Sequence, residues 1–275
     1  MKSFSFIHTA DLHLDSPFSG LRQVDGEIAD LLKDATLTIY RSPFTAYCLP
    51  ILGFNMTQIL SGICPEGIMV ATDSMATSFD EDGKENHFTV DKLFPIGSHA
   101  FIVSGGMGIS VELSMRFKRY AEERKLVGIE EITSGVGPYL SDQYREMLRH
   151  GSGTKGMNEE LDRIYFVVGG YSFRSQEEPY QLALWGSEAG QLPLQRILIG
   201  PCVAVPRTMS GEMRLFQMCQ SNCQLSELVE FAEEFLQKQS EVNPQIGPPF
   251  RVGTITASGF TRLERDHEPP ENGTR

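Results

Sequence analysis

Four residues of the types that hydrolases use for catalysis lie in one part of the chain. Thr57 carries a hydroxyl group, Asp73 follows it by sixteen positions, and Gly106 follows Lys92 by fourteen positions. A threonine hydroxyl is a poor nucleophile at its free pKa and needs a base beside it. Taken singly, each residue also has an ordinary explanation, as a strand residue, a turn cap, an edge-strand lysine and a strand-to-helix turn.

The segments that contain these residues resemble one known class of enzyme. MTQILSGICPEGIMVATDSMAT (56–77) is similar to the opening of proteasome β subunits and of their bacterial HslV-like relatives, with Thr57 at the position of the nucleophile and Asp73 at the matching offset. Lys92 in VDKLFPI, Gly106 in VSGGMG and the segment NPQIGPPFRVGTIT (243–256) follow in the same order. The resemblance extends from Met56 to about Ser258 and implies an N-terminal-nucleophile (Ntn) threonine hydrolase.

The resemblance implies a role for each of the four residues. The α-amine of an N-terminal Thr57 would act as the base, because a free amine titrates near pH 8 and is partly neutral at physiological pH. Lys92 would lie beside the Thr57 hydroxyl and lower the pKa of the amine, and Asp73 would keep Lys92 charged and oriented. The backbone N–H of Gly106 would face the oxyanion that develops on the substrate. No cofactor is expected.

Several positions depart from the pattern of that class. Met75 replaces an arginine, and Pro201 or Cys202 replaces a serine that often follows the middle strands. Alignment on Gly247 places Asn243 and Ile246 where an aspartate and a serine often support the nucleophile. Ile246 has no hydrogen-bonding group to offer. The alternative is therefore a non-catalytic structural subunit of the proteasome type.

The elements that must position these residues follow a regular order. Alternating apolar residues and turn signals predict strands, and apolar residues three or four apart predict helices. The predicted strands are 57–64, 68–72, 87–96, 100–104, 163–171, 181–186, 196–205 and 250–257, and the predicted helices are 109–125, 137–149, 211–220 and 226–240. Two sheets packed face to face, each covered by a helix pair, would bury all these faces. The predicted fold is α+β, a four-layer αββα sandwich of the Ntn-hydrolase, proteasome-subunit type.

The ends of the chain differ in character from this domain. Residues 1–55 are predicted to be an unrelated N-terminal extension, 56–260 the Ntn-hydrolase domain, and 261–275 a disordered polar tail. MKSFSFIHTADLHLDSPFSGL (1–21) resembles the first motif of SbcD/Mre11-type calcineurin-like metallophosphoesterases, with Asp11 and His13 as candidate metal ligands. The further motifs of a two-metal nuclease do not occur, so a metal-dependent phosphoesterase is the less favoured function.

The extension matters for Thr57, because a nucleophile whose nitrogen is locked in a peptide bond has no amine to use as a base. Either translation starts at Met56 and removal of this methionine exposes Thr57, or residues 1–56 are cleaved off as a propeptide. We expect the form that retains them to be inactive.

The composition restricts the partners. A formal net charge of −12 argues against nucleic-acid binding, which needs clustered Lys and Arg. Apolar runs are too short to span a membrane, a signal-peptide pattern is absent, and the five cysteines lack zinc spacing. We therefore expect a cytoplasmic protein. The resemblance implies a homo-oligomeric ring, a peptide or unfolded-protein substrate, and an ATPase as a possible partner.

Overall fold

The computed structural model describes residues 57–79, 85–150, 163–187, 191–206 and 209–263. The predicted N-terminal extension, the candidate ligands Asp11 and His13, and the tail beyond residue 263 lie outside these ranges. The domain boundaries that were predicted from the sequence therefore remain predictions.

The described residues form twelve strands and four helices. The strands are β1 Ile59–Cys64, β2 Gly67–Thr72, β3 Met75–Phe79, β4 Glu85–Thr89, β5 Leu93–Ile96, β6 Ala100–Gly106, β7 Ile164–Tyr171, β8 Tyr180–Ser187, β9 Gln195–Ile197, β10 Cys202–Val205, β11 Arg251–Thr256 and β12 Gly259–Leu263. The helices are α1 Ile109–Glu123, α2 Ile129–His150, α3 Met209–Gln220 and α4 Leu225–Val242.

Ten of these strands build two antiparallel five-stranded sheets. The first sheet has the order β10-β1-β2-β11-β12, and the second has the order β5-β6-β7-β8-β9. The remaining strands, β3 and β4, pair only with each other and form a two-stranded hairpin between β2 and β5. The hairpin therefore connects the end of the first sheet to the beginning of the second.

Alternation of side chains along the strands creates three separate apolar layers. In β2, Ile68 and Val70 belong to the cluster between the two sheets, whereas Met69 and Ala71 belong to the cluster beneath α3 and α4. In β6, Phe101 faces the other sheet, and Ile102 faces α1 and α2. Both faces of each sheet are thus buried, which requires four layers. The predicted four-layer αββα sandwich is confirmed.

The helices present apolar stripes to the sheets at intervals of about one turn. In α1 the buried residues include Leu113, Phe117 and Ala121, four positions apart. In α4 the buried residues include Leu228, Ala232 and Leu236, and Gln224 and Glu227 form a capping box at the start of this helix. The helical period predicted from the sequence therefore reflects the faces that the helices bury.

Two predicted strands are each divided between different sheets. The prediction of one strand at 87–96 is wrong, because β4 ends at Thr89 and β5 begins at Leu93 in another sheet. The prediction of one strand at 196–205 is wrong for the same reason: β9 and β10 belong to different sheets and are joined by residues 198–201. An apolar run looks continuous in the sequence even where the chain crosses between layers.

The bounds of two other elements also differ from the prediction. Helix α2 begins at Ile129 rather than at Gly137, because burial of Ile132 and Val136 outweighs the low helix propensity of the glycines and of Pro138. Residues 261–263 were assigned to a disordered tail, but they belong to β12, which pairs with β11 and packs Phe260 against the cluster between the sheets.

The inter-sheet layer is one of three buried apolar clusters that should stabilise the domain. Phe101 is fully buried in this layer, so Phe101→Ala should lower the free energy of unfolding by about 3–5 kcal/mol through lost burial and a residual cavity. The measurement is urea unfolding followed by circular dichroism. Phe88→Ala serves as the control, because half of the Phe88 side chain is already exposed and its removal should change the unfolding midpoint little. Equal losses for the two variants would contradict the assignment of the core.

Candidate active site

Antiparallel pairing brings Thr57 and Asp73 to the same end of the first sheet. Thr57 lies just before β1, Asp73 lies just after β2, and Ile59 is paired with Thr72 across the two strands. The amide N–H of Asp73 donates to the Gln58 carbonyl over 3.3 Å, which extends the ladder past the last paired residues. The offset of sixteen positions is thus the length of one hairpin.

Lys92 enters the site from the other sheet. It lies just before β5, and its side chain reaches across the end of the sandwich to Thr57 and Asp73. Lys92 is only 2% exposed, Asp73 is fully buried, and Thr57 is 5% exposed. The three residues therefore meet in a desolvated position, where electrostatic interactions are stronger than at the surface.

The ammonium group of Lys92 has three acceptors. Its Nζ donates to Thr57 Oγ1 over 3.0 Å, to the Asp73 carboxylate oxygens over 3.0 and 3.1 Å, and to the carbonyl oxygen of Met75 over 2.6 Å. An ammonium has three N–H bonds and no acceptor, so the charged form suits these three groups of the described residues. The arrangement holds a positive charge at hydrogen-bond distance from the Thr57 hydroxyl.

Asp73 is held as firmly as the lysine that it binds. Its Oδ1 accepts the backbone N–H of Gln58 over 2.9 Å, and its Oδ2 accepts the backbone N–H of Met75 over 3.0 Å. Together with Lys92, these donors satisfy both carboxylate oxygens. Asp73 therefore does cap the turn before β3, as its ordinary explanation required, and it also pairs with the buried lysine.

Burial is the main influence on the ionisation of the pair. Removal from water lowers the pKa of Lys92 and raises the pKa of Asp73, since water no longer stabilises either charge. The attraction between the two groups opposes both shifts, and the backbone donors of Gln58 and Met75 also lower the pKa of Asp73. The charged pair thus depends on having all of its hydrogen-bond partners in place.

The glycine-rich turn at the end of β6 borders Thr57 through Gly105. A Cβ atom on Gly105 would lie 3.3 Å from Thr57 Cγ2 and 3.2 Å from Ile59 Cδ1, so a side chain there would crowd the threonine. Gly106 has a φ of +93°, and a Cβ atom on it would overlap the carbonyl oxygen of Arg163. Gly106 is therefore required by the backbone itself, and its predicted role toward an oxyanion remains a prediction.

The loop before β11 packs against the segment that follows Asp73. The carbonyl oxygen of Gly247 accepts the N–H of Ser74 over 3.3 Å, and the side chain of Met75 lies against the Cα of Gly247. Ile246 is buried, and the side chain of Asn243 accepts the N–H of Gln245 over 3.0 Å. Asn243 thus helps to form the turn in this loop.

Pro201 and Cys202, the positions where a serine was expected to be replaced, lie at the end of the first sheet that is remote from Thr57. Cys202 is paired with Gly62, and the Pro201 carbonyl accepts the N–H of Ile63, at the end of β1 remote from Thr57. The chain returns toward Thr57 only at the end of β10, where Val205 is paired with Ile59. The replacement of a serine at Pro201 or Cys202 therefore remains a prediction, at positions remote from Thr57.

Sequence reasoning found the three charged or nucleophilic side chains but missed the backbone groups that complete the site. The missed groups are the Gln58 N–H, the Met75 N–H and carbonyl, and the close approach of Gly105. Backbone groups have no residue-type signal, and only their position beside Thr57, Asp73 and Gly106 in the chain could have suggested them.

Neither a metal-binding group of side chains nor a membrane-spanning helix occurs among the described residues. In those ranges, His, Cys, Asp and Glu side chains do not form a group of three or more that could hold a metal ion. Within the same ranges, every helix is too short or too polar to cross a membrane.

Comparison with known proteins gives a likeness of fold. No protein-family model and no curated protein matches the chain. Among solved structures, the chain is similar to Anbu (ancestral beta-subunit) from Yersinia bercovieri, with 15% sequence identity and a TM-score of 0.54. The match covers 76% of this chain and 88% of the Anbu chain. At this identity the likeness shows the fold alone, which is the four-layer αββα sandwich described above.

This comparison corrects the identification made from the sequence. Anbu is a structural neighbour of this chain, and neither the HslV-like resemblance nor the metallophosphoesterase resemblance of residues 1–21 receives support. The identification in that form is wrong. The short motifs around Thr57, Asp73 and Lys92 marked a shared fold correctly, but they pointed to the wrong relatives within it.

Gly106 should tolerate substitution much less well than its near neighbour Gly108. Gly106→Ala forces a side chain into a left-handed conformation and against Arg163, so it should lower the free energy of unfolding by at least about 1–3 kcal/mol. Gly108 has a φ of −55° and open space around it, so Gly108→Ala is the matched control and should have little effect. Urea unfolding of both variants provides the comparison, and similar midpoints would refute the backbone explanation.

Removal of the lysine should leave Asp73 as an uncompensated buried charge. Lys92→Met should therefore destabilise the domain by about 3–5 kcal/mol at pH 7. The pKa of Asp73 in this variant should lie above its unfolded value, so the folded state binds more protons than the unfolded state and stability falls as pH rises. The loss of unfolding free energy in Lys92→Met, relative to the parent chain, should accordingly become smaller as the pH is lowered from 7 toward 5.

The measurement for this variant is urea unfolding at several pH values. Lys238→Met is the matched control, because Lys238 is exposed and pairs with Glu234 on the surface of α4. A deficit in Lys92→Met that is small, or that does not vary with pH, would show that Asp73 is not a buried charge held by Lys92.

Proposed function

We propose that this chain is a subunit of a threonine-type peptidase or amidase of the proteasome-like kind, with Thr57 as the nucleophile once its α-amine is free. The observation that carries the proposal is the 3.0 Å contact between Lys92 Nζ and Thr57 Oγ1, with Lys92 itself fixed by Asp73. A buried ammonium at this distance stabilises the alkoxide character that the threonine oxygen gains during attack.

The proposed reaction proceeds in two stages. The free α-amine of Thr57, directly or through a water molecule, takes the hydroxyl proton while Oγ1 attacks the carbonyl carbon of the substrate amide. The amine then returns this proton to the leaving nitrogen, and an ester forms between Oγ1 and the acyl part of the substrate. Water, activated by the same amine, hydrolyses the ester and restores Thr57.

The α-amine of Thr57 is the natural base in this scheme, because the charged lysine cannot accept a proton. In the ammonium form, Lys92 donates to Thr57 Oγ1, to Asp73 and to the Met75 carbonyl, so it has no lone pair with which to take the threonine proton. Its positive charge also disfavours protonation of a nearby amine. Both effects support the division of roles proposed for Thr57 and Lys92.

The N-terminal segment is the proposed control on this activity. In the 275-residue chain, Met56 precedes Thr57, so the Thr57 nitrogen is an amide and not a base. We propose that exposure of Thr57 at the N-terminus, by removal of the residues before it, activates the site.

The proposed substrates are peptides or unfolded polypeptides. The proposed assembly is an oligomeric ring, with an ATPase as a possible partner. The fold likeness to Anbu, which is named as a beta-subunit, favours such an assembly.

A non-catalytic structural subunit is the second candidate, and one observation favours it. Ile246 is buried in the loop that packs against Ser74 and Met75, and its apolar side chain offers no hydrogen bond to an amine or a water molecule. If the nucleophile needs such support, the fold would assemble without catalysing hydrolysis.

Reactivity toward a threonine-directed β-lactone should separate the two candidates. Protein with Thr57 as its first residue should be labelled with one adduct per chain, whereas the 275-residue form should not react. Thr57→Ala should abolish labelling, and Thr261→Ala, an exposed threonine in β12, is the matched control that should label like the parent. Intact-mass spectrometry measures the adduct. Failure of the Thr57-initiated chain to react, although it is folded, would favour the structural subunit.

A further inference from the structure

Met75 is held at three points around the buried lysine. Its N–H donates to Asp73 Oδ2 over 3.0 Å, and its carbonyl oxygen accepts from Lys92 Nζ over 2.6 Å, the shortest of the contacts that Lys92 makes. Its side chain is the third point of attachment. The geometry of Lys92 therefore depends on the position of the Met75 backbone.

The side chain of Met75 packs onto a glycine surface. A Cβ atom on Gly247 would overlap Met75 Cε and would lie 3.5 Å from Met75 Sδ, so the thioether end occupies the space that any other residue at 247 would fill. Gly247 itself is fixed, because its carbonyl oxygen accepts the N–H of Ser74 over 3.3 Å. The loop before β11 thus contacts the side chain of Met75, while Lys92 contacts its carbonyl.

Glycine at 247 leaves the space in which the Met75 side chain packs. The φ angle of Gly247 is not positive, so the conformational freedom of glycine does not explain why a glycine occupies this position. The explanation is space, since the long, unbranched methionine reaches the bare Cα surface. The contact links two segments that are about 170 residues apart in sequence and that meet at the Asp73–Lys92 pair.

We infer that Met75 is a positioning residue for Lys92, and that Gly247 sets its position by providing the surface on which the Met75 side chain rests. Displacement of that side chain would move the Met75 carbonyl away from Lys92 Nζ. The ammonium would then lose one of its three acceptors and shift relative to Thr57 Oγ1. This inference rests on the proposed function for its catalytic meaning, but the contact chain itself does not require catalysis.

The decisive experiment is a double-mutant cycle on the full 275-residue chain, with the pKa of Lys92 as the readout. Nitrogen-15 NMR of the lysine Nζ groups follows this titration without any need for activity. Gly247→Ala should lower the pKa of Lys92, because a charged donor that loses an acceptor is less well stabilised. In the Met75→Ala background, the same Gly247→Ala substitution should have less than half of its effect, since the side chain that it displaces is gone.

Controls separate this coupling from general damage. Gly200→Ala is the matched glycine substitution, because its added Cβ would make only an ordinary contact with Phe216, 3.6 Å away, and it should leave the Lys92 titration unchanged. Among the described residues, Asp73 acts on the charge of Lys92, and Asp91, the sequence neighbour of Lys92, is paired with Arg262; neither substitution changes these two carboxylates.

The outcomes decide the inference independently of the proposed function. An unchanged Lys92 pKa in Gly247→Ala, or an equal shift with and without the Met75 side chain, overturns the positioning role. If Gly247→Ala does not fold, Met75→Leu, which loses the thioether end, replaces it: a lowered Lys92 pKa supports the inference, and an unchanged one overturns it. A positive cycle together with absent β-lactone labelling would keep the inference and reject the peptidase.

Discussion

The buried ammonium of Lys92 is the constraint on which the rest of the site depends. Moving a lysine and an aspartate out of water costs several kcal/mol per ion, and their attraction repays this only when every hydrogen-bonding group is satisfied. Here Thr57 Oγ1, the Asp73 carboxylate and the Met75 carbonyl accept from Lys92 among the described residues, and both oxygens of Asp73 meet donors. A pair of this kind is stable only if several chain segments are placed to within tenths of an ångström.

The four-layer sandwich supplies that precision. Thr57 and Asp73 come from the two strands of one hairpin, Lys92 comes from the first strand of the facing sheet, and the Met75 carbonyl comes from the connection between them. The apolar layer between the sheets fixes their separation, because packed interiors transmit even small displacements. The β3–β4 hairpin begins just after Asp73 and ends just before Lys92, so it closes a short covalent loop around the ion pair. The site is thus a property of the way the two sheets are joined.

The sequence predicted the side chains of this arrangement better than its surroundings. Thr57, Asp73 and Lys92 were proposed because the motifs that contain them resemble those of a known class, and β2 and β6 were predicted as strands because burial on both faces makes their residues mostly apolar. The breaks at residues 90–92 and 198–201 were missed, since an apolar run does not record which sheet each part joins. The roles of Gly105 and of the Met75 carbonyl were also missed, because they depend on three-dimensional contact and not on residue type.

The same distinction explains why the fold was predicted correctly and the relatives were not. The spacing from Thr57 to Asp73 follows from hairpin length, and the Lys92 position follows from the crossing between sheets, so any chain that builds this ion pair on this fold must show similar motifs. Such motifs report a physical requirement and carry little information about descent. The identity to Anbu is 15%, so most aligned positions differ between the two chains. The contact between Met75 and Gly247 can differ between chains of one fold. The site requires only that the carbonyl oxygen of residue 75 stays within hydrogen-bond distance of Lys92 Nζ. More than one side chain can hold that oxygen in place.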